Sequence, residues 1–205
     1  MEGENSHGIP FPKVVTCTER NNLSIVYFNA RSLIPKLDEL CAIVEAHNPD
    51  VVSIVESWLC ADIPDNEISI PGYYAFHKDR HRHGGGVLLY IKDTFVVREL
   101  PTDNCNGLEI LPIEVSFLKF SFCITVFYRP PDSQGFIFDT LCNFLASPHL
   151  YQFSHFVLVG DFNVNMNNHD HPLFSKVCNI MELFNSLQIV LILLQMVTAL
   201  SLILL

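Results

Sequence analysis

Residues 23–56 read LSIVYFNARSLIPKLDELCAIVEAHNPDVVSIVE, and three segments of different period are joined in them. Leu23 to Phe28 is a continuous apolar, β-rich run, which predicts a buried strand. Asn29-Ala30-Arg31-Ser32 has the polarity of a turn into a helix. Leu33, Leu37, Leu40, Cys41 and Val44 then recur at helical spacing, so a helix is predicted over 33–47, with Pro35 tolerated in its first turn. Asn48-Pro49-Asp50 stops it, and Val51 to Val55 is a second apolar run ending in Glu56. Strand, helix, strand is the unit that pairs strands in parallel, and it puts Asn29 and Glu56 at the ends of two strands able to lie side by side.

Beyond a Pro- and Asp-rich loop at 61–72, the runs 73–76, 86–91, 94–98, 108–117 and 120–128 read as strands separated by turn residues. Residues 136–145 suggest a helix and 156–159 a strand ending in Gly160-Asp161. Leu173, Val177, Ile180, Phe184 and Leu187 line one face of a further helix. The chain has 205 residues, enough for one large α/β domain. With 49% apolar residues, sixteen Phe and only 17% charged residues, a disordered chain is excluded and sheets buried on both faces are expected.

A net charge of −10 argues against a general basic surface for nucleic acid, so any DNA contact is expected to be local or metal-assisted. The densest basic stretch, Lys78, Arg80, His81, Arg82 and His83, reads either as a phosphate contact or as a solvated loop tip. Seven cysteines, odd in number and without a CxxC, read as reduced core thiols of an intracellular protein. Residues 1–20 are polar and irregular, unlike a secretory leader, and 1–22 are expected to form a loose arm.

Oxygen-bearing side chains at strand ends carry the chemistry, because a hard cation such as Mg²⁺ takes oxygen ligands and keeps several waters. Glu56 closes one strand, Asp161 and Asn163 follow another, and Asn29 follows the first. Singly, each is more often a cap or a turn former. Together they belong to an ordered series: Asn29-Ala30-Arg31-Ser32-Leu33, Glu56-Ser57-Trp58-Leu59, Gly84-Gly85-Gly86-Val87, Tyr128-Arg129-Pro130-Pro131 and Gly160-Asp161-Phe162-Asn163. That series resembles the endonuclease domain of non-LTR, LINE-like retrotransposons, a branch of the endonuclease/exonuclease/phosphatase superfamily to which DNase I belongs.

The resemblance covers roughly residues 23–188 and implies an α/β fold, a two-sheet sandwich with outer helices in the four layers of DNase I. It implies a Mg²⁺-dependent endonuclease, with Mn²⁺ as an alternative ion, DNA as substrate, no small-molecule cofactor and a reverse transcriptase encoded downstream in the parent element. By the same resemblance Glu56 is a metal ligand and Asn29 supports the metal and phosphate region. Tyr128 points its phenol at the scissile phosphate, Asp161 orients or deprotonates the attacking water, and Asn163 bonds the phosphate oxygens. Glycines 84–86 are read as backbone packing at a strand start, since no helix follows them to cradle a phosphate.

The family's pattern ends with an Asp- and His-bearing segment, and here no Asp, Glu or His follows Glu182. Residues 189–205 are an uncharged Leu-, Ile- and Val-rich tail, read as a reading-frame slip or a real hydrophobic segment, with one or two family strands surviving in 189–194. At seventeen residues the tail is short for a membrane span, for which ~20 are usual, so a nuclear or cytoplasmic location is expected over a membrane-attached one. The expectation is therefore a domain over 23–188 that is incomplete at its C-terminus, with an unpaired sheet edge and impaired catalysis. The alternatives are an inactive remnant of the same fold and another phosphodiesterase of the superfamily. His169, Asp170 and His171 read as a polar loop.

Overall fold

The computed structural model describes residues 13–15, 23–102, 105, 107–117, 120–153, 155–183, 187–191 and 200–204. Two sheets stack face to face. The first holds β1 (Lys13–Val15), β2 (Ile25–Asn29), β3 (Val51–Val55), β4 (Tyr73–Lys78) and β5 (Val87–Lys92), in the order β1-β2-β3-β5-β4. The second holds β6 (Val96–Glu99), β7 (Glu109–Phe117), β8 (Phe120–Tyr128), β9 (His155–Asp161), β10 (Leu187–Leu191) and β11 (Leu200–Leu204), in the order β10-β11-β9-β8-β7-β6. Each sheet contains one parallel pair, β2 with β3 and β8 with β9, and every other pairing is antiparallel.

A helix bridges each parallel pair: α1 (Leu37–His47) between β2 and β3, and α2 (Phe136–Leu145) between β8 and β9; α3 (Phe174–Leu183) follows β9. Alternation along β3 shows how the layers form. Val51 and Val55 face the second sheet, packing with Leu111, Ile113, Val126 and Val159, whereas Val52 and Ile54 face outward against Leu40 and Val44 of α1. On the far side, Phe138 and Leu141 of α2 and Val177 and Ile180 of α3 cover Phe127, Phe156 and Leu158. The result is helix, sheet, sheet, helix.

Four expectations are corrected. The helix predicted from residue 33 opens as a 3₁₀ turn over Ile34–Lys36 before α1 begins at Leu37, with the N–H groups of Lys36 and Leu37 closing tight bonds to the carbonyls of Leu33 and Ile34. Within the stretch expected as a loose arm, Lys13–Val15 pairs with the open edge of β2; the rest of that arm lies outside the described residues. Leu187 begins β10 rather than continuing α3, which ends at Leu183, and Phe184 lies outside the described residues. The edge of β9 is not left open, since β11 pairs along it from Leu200↔Asp161 to Leu204↔Val157. A ladder uses backbone groups, so an apolar run without family side chains can still fill the edge.

The six described cysteines are free thiols. Among the described residues no helix is long and apolar enough to cross a membrane.

Candidate active site

The last register pair of β2 and β3 is Asn29 with Val55, and the last of β8 and β9 is Tyr128 with Asp161. Both parallel pairs therefore end at the same rim of the sandwich, the place where α/β folds collect functional side chains. There the sheets touch. The Tyr128 phenol donates to Glu56 Oε1 at 3.1 Å, and Asn29 Nδ2 donates to the same oxygen at 2.8 Å. Asn29 Oδ1 accepts the Arg31 N–H at 3.2 Å, which bends the chain after β2.

The rim is built from strained backbone. Among the described residues six non-glycine residues have a left-handed φ, and five of them lie here: Arg31 at 42°, Ser32 at 79°, Glu56 at 52°, Trp58 at 55° and Asn163 at 49°. Such conformations cost roughly 1–3 kcal/mol each and persist only where surrounding bonds over-determine them. Those bonds are Ser32 N–H to Glu56 O (3.0 Å), Leu33 N–H to Ser57 O (3.0 Å), Ser57 N–H to Gly86 O (3.2 Å) and Trp58 N–H to Gly85 O (3.0 Å).

Asp161 is fully buried, accepts the Asn163 N–H on Oδ1 at 2.8 Å, and has no partner for Oδ2 among the described residues. Burial first, then the charge of Glu56, push its carboxyl up to about 7, against the opposing pull of the Asn163 N–H, Arg31 and Arg129. Burial and Glu56 also hold the Tyr128 phenol well above its ordinary value, so it is a proton donor at any physiological pH. A second buried phenol, Tyr27, has no partner for its hydroxyl among the described residues and is raised by burial and by the charges of Asp161 and Glu56. Asn163 turns its amide back to the fold, donating Nδ2–H to Arg129 O at 2.6 Å.

The donor set is oxygen-only: Glu56, Asp161 and the Asn29 carboxamide. Among the described residues no three His, Cys, Asp or Glu side chains converge on one point. An orphaned buried carboxylate oxygen beside a second carboxylate fits a hard cation that keeps most of its waters. His169, Asp170 and His171 are apart from this: the His169 ring lies 4.7 Å from that of Phe174, and His171 Nδ1 accepts the Leu173 N–H at 3.1 Å at the start of α3.

The sequence profile of the endonuclease/exonuclease/phosphatase family matches residues 26–177. The chain belongs to this family. No curated protein matches it. Among solved structures, an AP endonuclease from Leishmania major superposes with a TM-score of 0.67 at 16% identity, covering 92% of this chain and 84% of the other. An AP endonuclease from Archaeoglobus fulgidus gives 0.63 at 16% identity over 88% and 86%. The endonuclease domain of TRAS1, a telomere-specific non-LTR retrotransposon, gives 0.59 at 12% identity over 80% and 73%. At these identities the likeness is one of fold. Members of the endonuclease/exonuclease/phosphatase family are phosphodiesterase hydrolases, nucleases among them, and generally use divalent metal ions.

Three side chains at this family site went unassigned in the sequence. Tyr27 stands two residues before Asn29, and strand alternation puts both on one side of β2. Glu109 lies within the predicted strand run 108–117, where nothing marks it apart from the residues around it. Arg129 lies inside a quoted motif but had no role. It is buried and donates to four carbonyls, those of Phe162 and Asn163 (3.3 Å each), Pro131 (3.2 Å) and Ser133 (2.8 Å), with its guanidinium 5.6 Å from the Phe138 ring centre. Arg129 thereby ties the turn after β8 to the turn after β9. A lysine has a single nitrogen to offer these acceptors, so Arg129→Lys is expected to cost about 1–3 kcal/mol for each carbonyl left bare, read as a lowered urea midpoint.

Proposed function

We propose that this site is that of a Mg²⁺-dependent endonuclease of the retrotransposon type acting on DNA, impaired in this chain. The observation that carries the reading is the Glu56 carboxylate, held through one oxygen by Asn29 and Tyr128, beside a buried Asp161 with an unpaired oxygen. Hydrolysing a phosphodiester needs neutralisation of the phosphoryl oxygens, a positioned water and a stabilised leaving alkoxide. A cation held by Glu56, with the Asn29 carboxamide oxygen beside it, supplies the neutralisation when bound. Asp161, poised near 7, is suited to take a proton from the attacking water. Tyr128, kept protonated, donates to a phosphate oxygen once Glu56 no longer needs its proton. Asn163 keeps one of its two amide N–H donors on Arg129 O and has the second to offer the phosphate as charge builds on it.

The ordered motifs support the retrotransposon branch; the fold is shared with the AP endonucleases as well as with TRAS1. The impairment rests on the neighbour of Asp161: its register partner on the far side is Leu200, and β11 from Leu200 to Leu204 has no ionisable residue to complete the site. Groups of one catalytic constellation are not additive, and each acid–base or electrostatic contribution is worth ~10²- to 10⁴-fold. A plasmid-nicking assay with Mg²⁺ is therefore expected to give little or no nicking by this chain. Asp161-dependent nicking should return when the residues after Leu187 are replaced by a family end bearing Asp and His. Rapid nicking by the unaltered chain would overturn the impairment, and silence from the chimera would overturn the nuclease reading.

A further inference from the structure

Glu109, the first residue of β7, is the register partner of Tyr128 and is buried, an uncommon place for a carboxylate unless it is paired. Its Oε1 accepts Arg80 Nη1–H at 2.7 Å and its Oε2 accepts the Gly86 N–H at 2.6 Å. Arg80 also donates Nε–H to Gly84 O at 3.0 Å, so the pair grips the glycine loop at both ends. The other side of that loop holds the turn after β3, with the carbonyls of Gly86 and Gly85 accepting the N–H groups of Ser57 and Trp58.

The cradle has room for glycine alone. A Cβ on Gly85 would lie 2.5 Å from Glu109 Oε2 and from Arg80 Nε, and one on Gly86 would lie 2.5 Å from Ser57 Oγ. Glu56 and Trp58 adopt left-handed backbone that neither residue type favours by itself. Something outside the turn must impose it: the Gly85 and Gly86 carbonyls do so directly from the first sheet, and Glu109 of the second sheet braces the loop that carries them.

We propose that Glu109 is a positioning residue of this site. Through Arg80 and the glycine loop it locks the Glu56–Trp58 turn in the strained form that presents the Glu56 carboxylate to Asn29, Tyr128 and a cation. The inference rests on the metal-site reading of Glu56 given above. It also gives the glycine triplet and the arginine of the basic stretch a shared purpose, which neither has as a strand start or a solvated tip.

The chain's single tryptophan is Trp58, inside the turn in question, so its fluorescence reports on the turn without a label. The test compares the full chain with Glu109→Ala, with Glu109→Gln, which keeps an oxygen for the Gly86 N–H, and with Glu56→Gln. The readouts are Mn²⁺ binding by electron paramagnetic resonance and acrylamide quenching of Trp58. In Glu109→Ala, Mn²⁺ affinity is expected to fall about tenfold, the usual size of an effect exerted through a ligand's supporting partner, and Trp58 should become more quenchable. Glu109→Gln should recover part of both losses, and it carries the comparison should the alanine variant not fold. Mn²⁺ binding that is lost in Glu56→Gln but unchanged in both Glu109 variants would overturn the positioning role. If the unaltered chain binds no Mn²⁺, the metal-site reading falls, and Trp58 quenching that is the same in all Glu109 variants overturns the clamp as well.

Discussion

Gly160→Ala is expected to abolish native folding. Gly160 sits in β9 opposite Phe127 of β8, and a Cβ there would lie 1.7 Å from the Phe127 carbonyl oxygen and 2.7 Å from its carbonyl carbon. No rotamer change relieves a contact with backbone. Nor can Phe127 retreat: β8 is laddered to β7 on its other side, and its ring packs 5.2 Å from that of Phe162. Single substitutions costing more than about 4–5 kcal/mol are exceptional and come from clashes of this kind. Gly72→Ala is the control, because its φ is +82° but nothing lies within 4 Å of the added carbon. It should cost only about 1–2 kcal/mol, the penalty of left-handed backbone. Urea unfolding followed by circular dichroism distinguishes the two. A cooperative transition in Gly160→Ala close to that of the parent would mean that β8 and β9 separate far more cheaply than their packing implies.

Asp161→Asn is expected to stabilise the chain at pH 8 and to do little at pH 4. The carboxyl moves from an ordinary 3.8 to about 7, first because it is buried and then because Glu56 is charged. Between those values the native state keeps a proton that the unfolded chain has released. The resulting stability is fully present below 3.8 and is lost as pH rises through about 7. Above that, the fold holds a buried carboxylate with an unpaired oxygen. A displacement of this size corresponds to about 4 kcal/mol, and an asparagine, whose N–H would itself lack a partner, should recover about 2–3 kcal/mol of it. At about 2–4 °C per kcal/mol for a domain of this size, Tm at pH 8 should rise by about 4–12 °C. Mg²⁺ should raise Tm of both proteins at pH 8, because Glu56 and Asn29 remain in each, and by more in the parent, where the Asp161 carboxylate adds its charge to the site. Melting curves of the two proteins that stay parallel from pH 4 to 8 would refute the buried charge.

Local pattern made the strand, helix, strand unit of residues 23–56 legible. Val51 to Val55 is apolar at every position but Ser53 because both faces of β3 are covered, and Leu40 and Val44 recur at helical spacing because α1 buries one stripe. The strand ends, and with them Asn29, Glu56, Tyr128 and Asp161 as candidates, follow from where each apolar run stops. Three things were not legible, for different reasons. The left-handed turn at Glu56 and Trp58 uses residue types with no preference for it, and is imposed by carbonyls of Gly85 and Gly86 about thirty residues away. Glu109 is indistinguishable from a solvated strand end until Arg80, 29 residues earlier, and Gly86, 23 earlier, are folded against it. Residues 187–191 and 200–204 carry no family signature, yet they join the sheet through backbone ladders, which are blind to side-chain identity. Burial periodicity is written in the order of residues. The partner of a buried charge, the strain of a turn and the filling of a sheet edge exist only when segments distant in sequence meet.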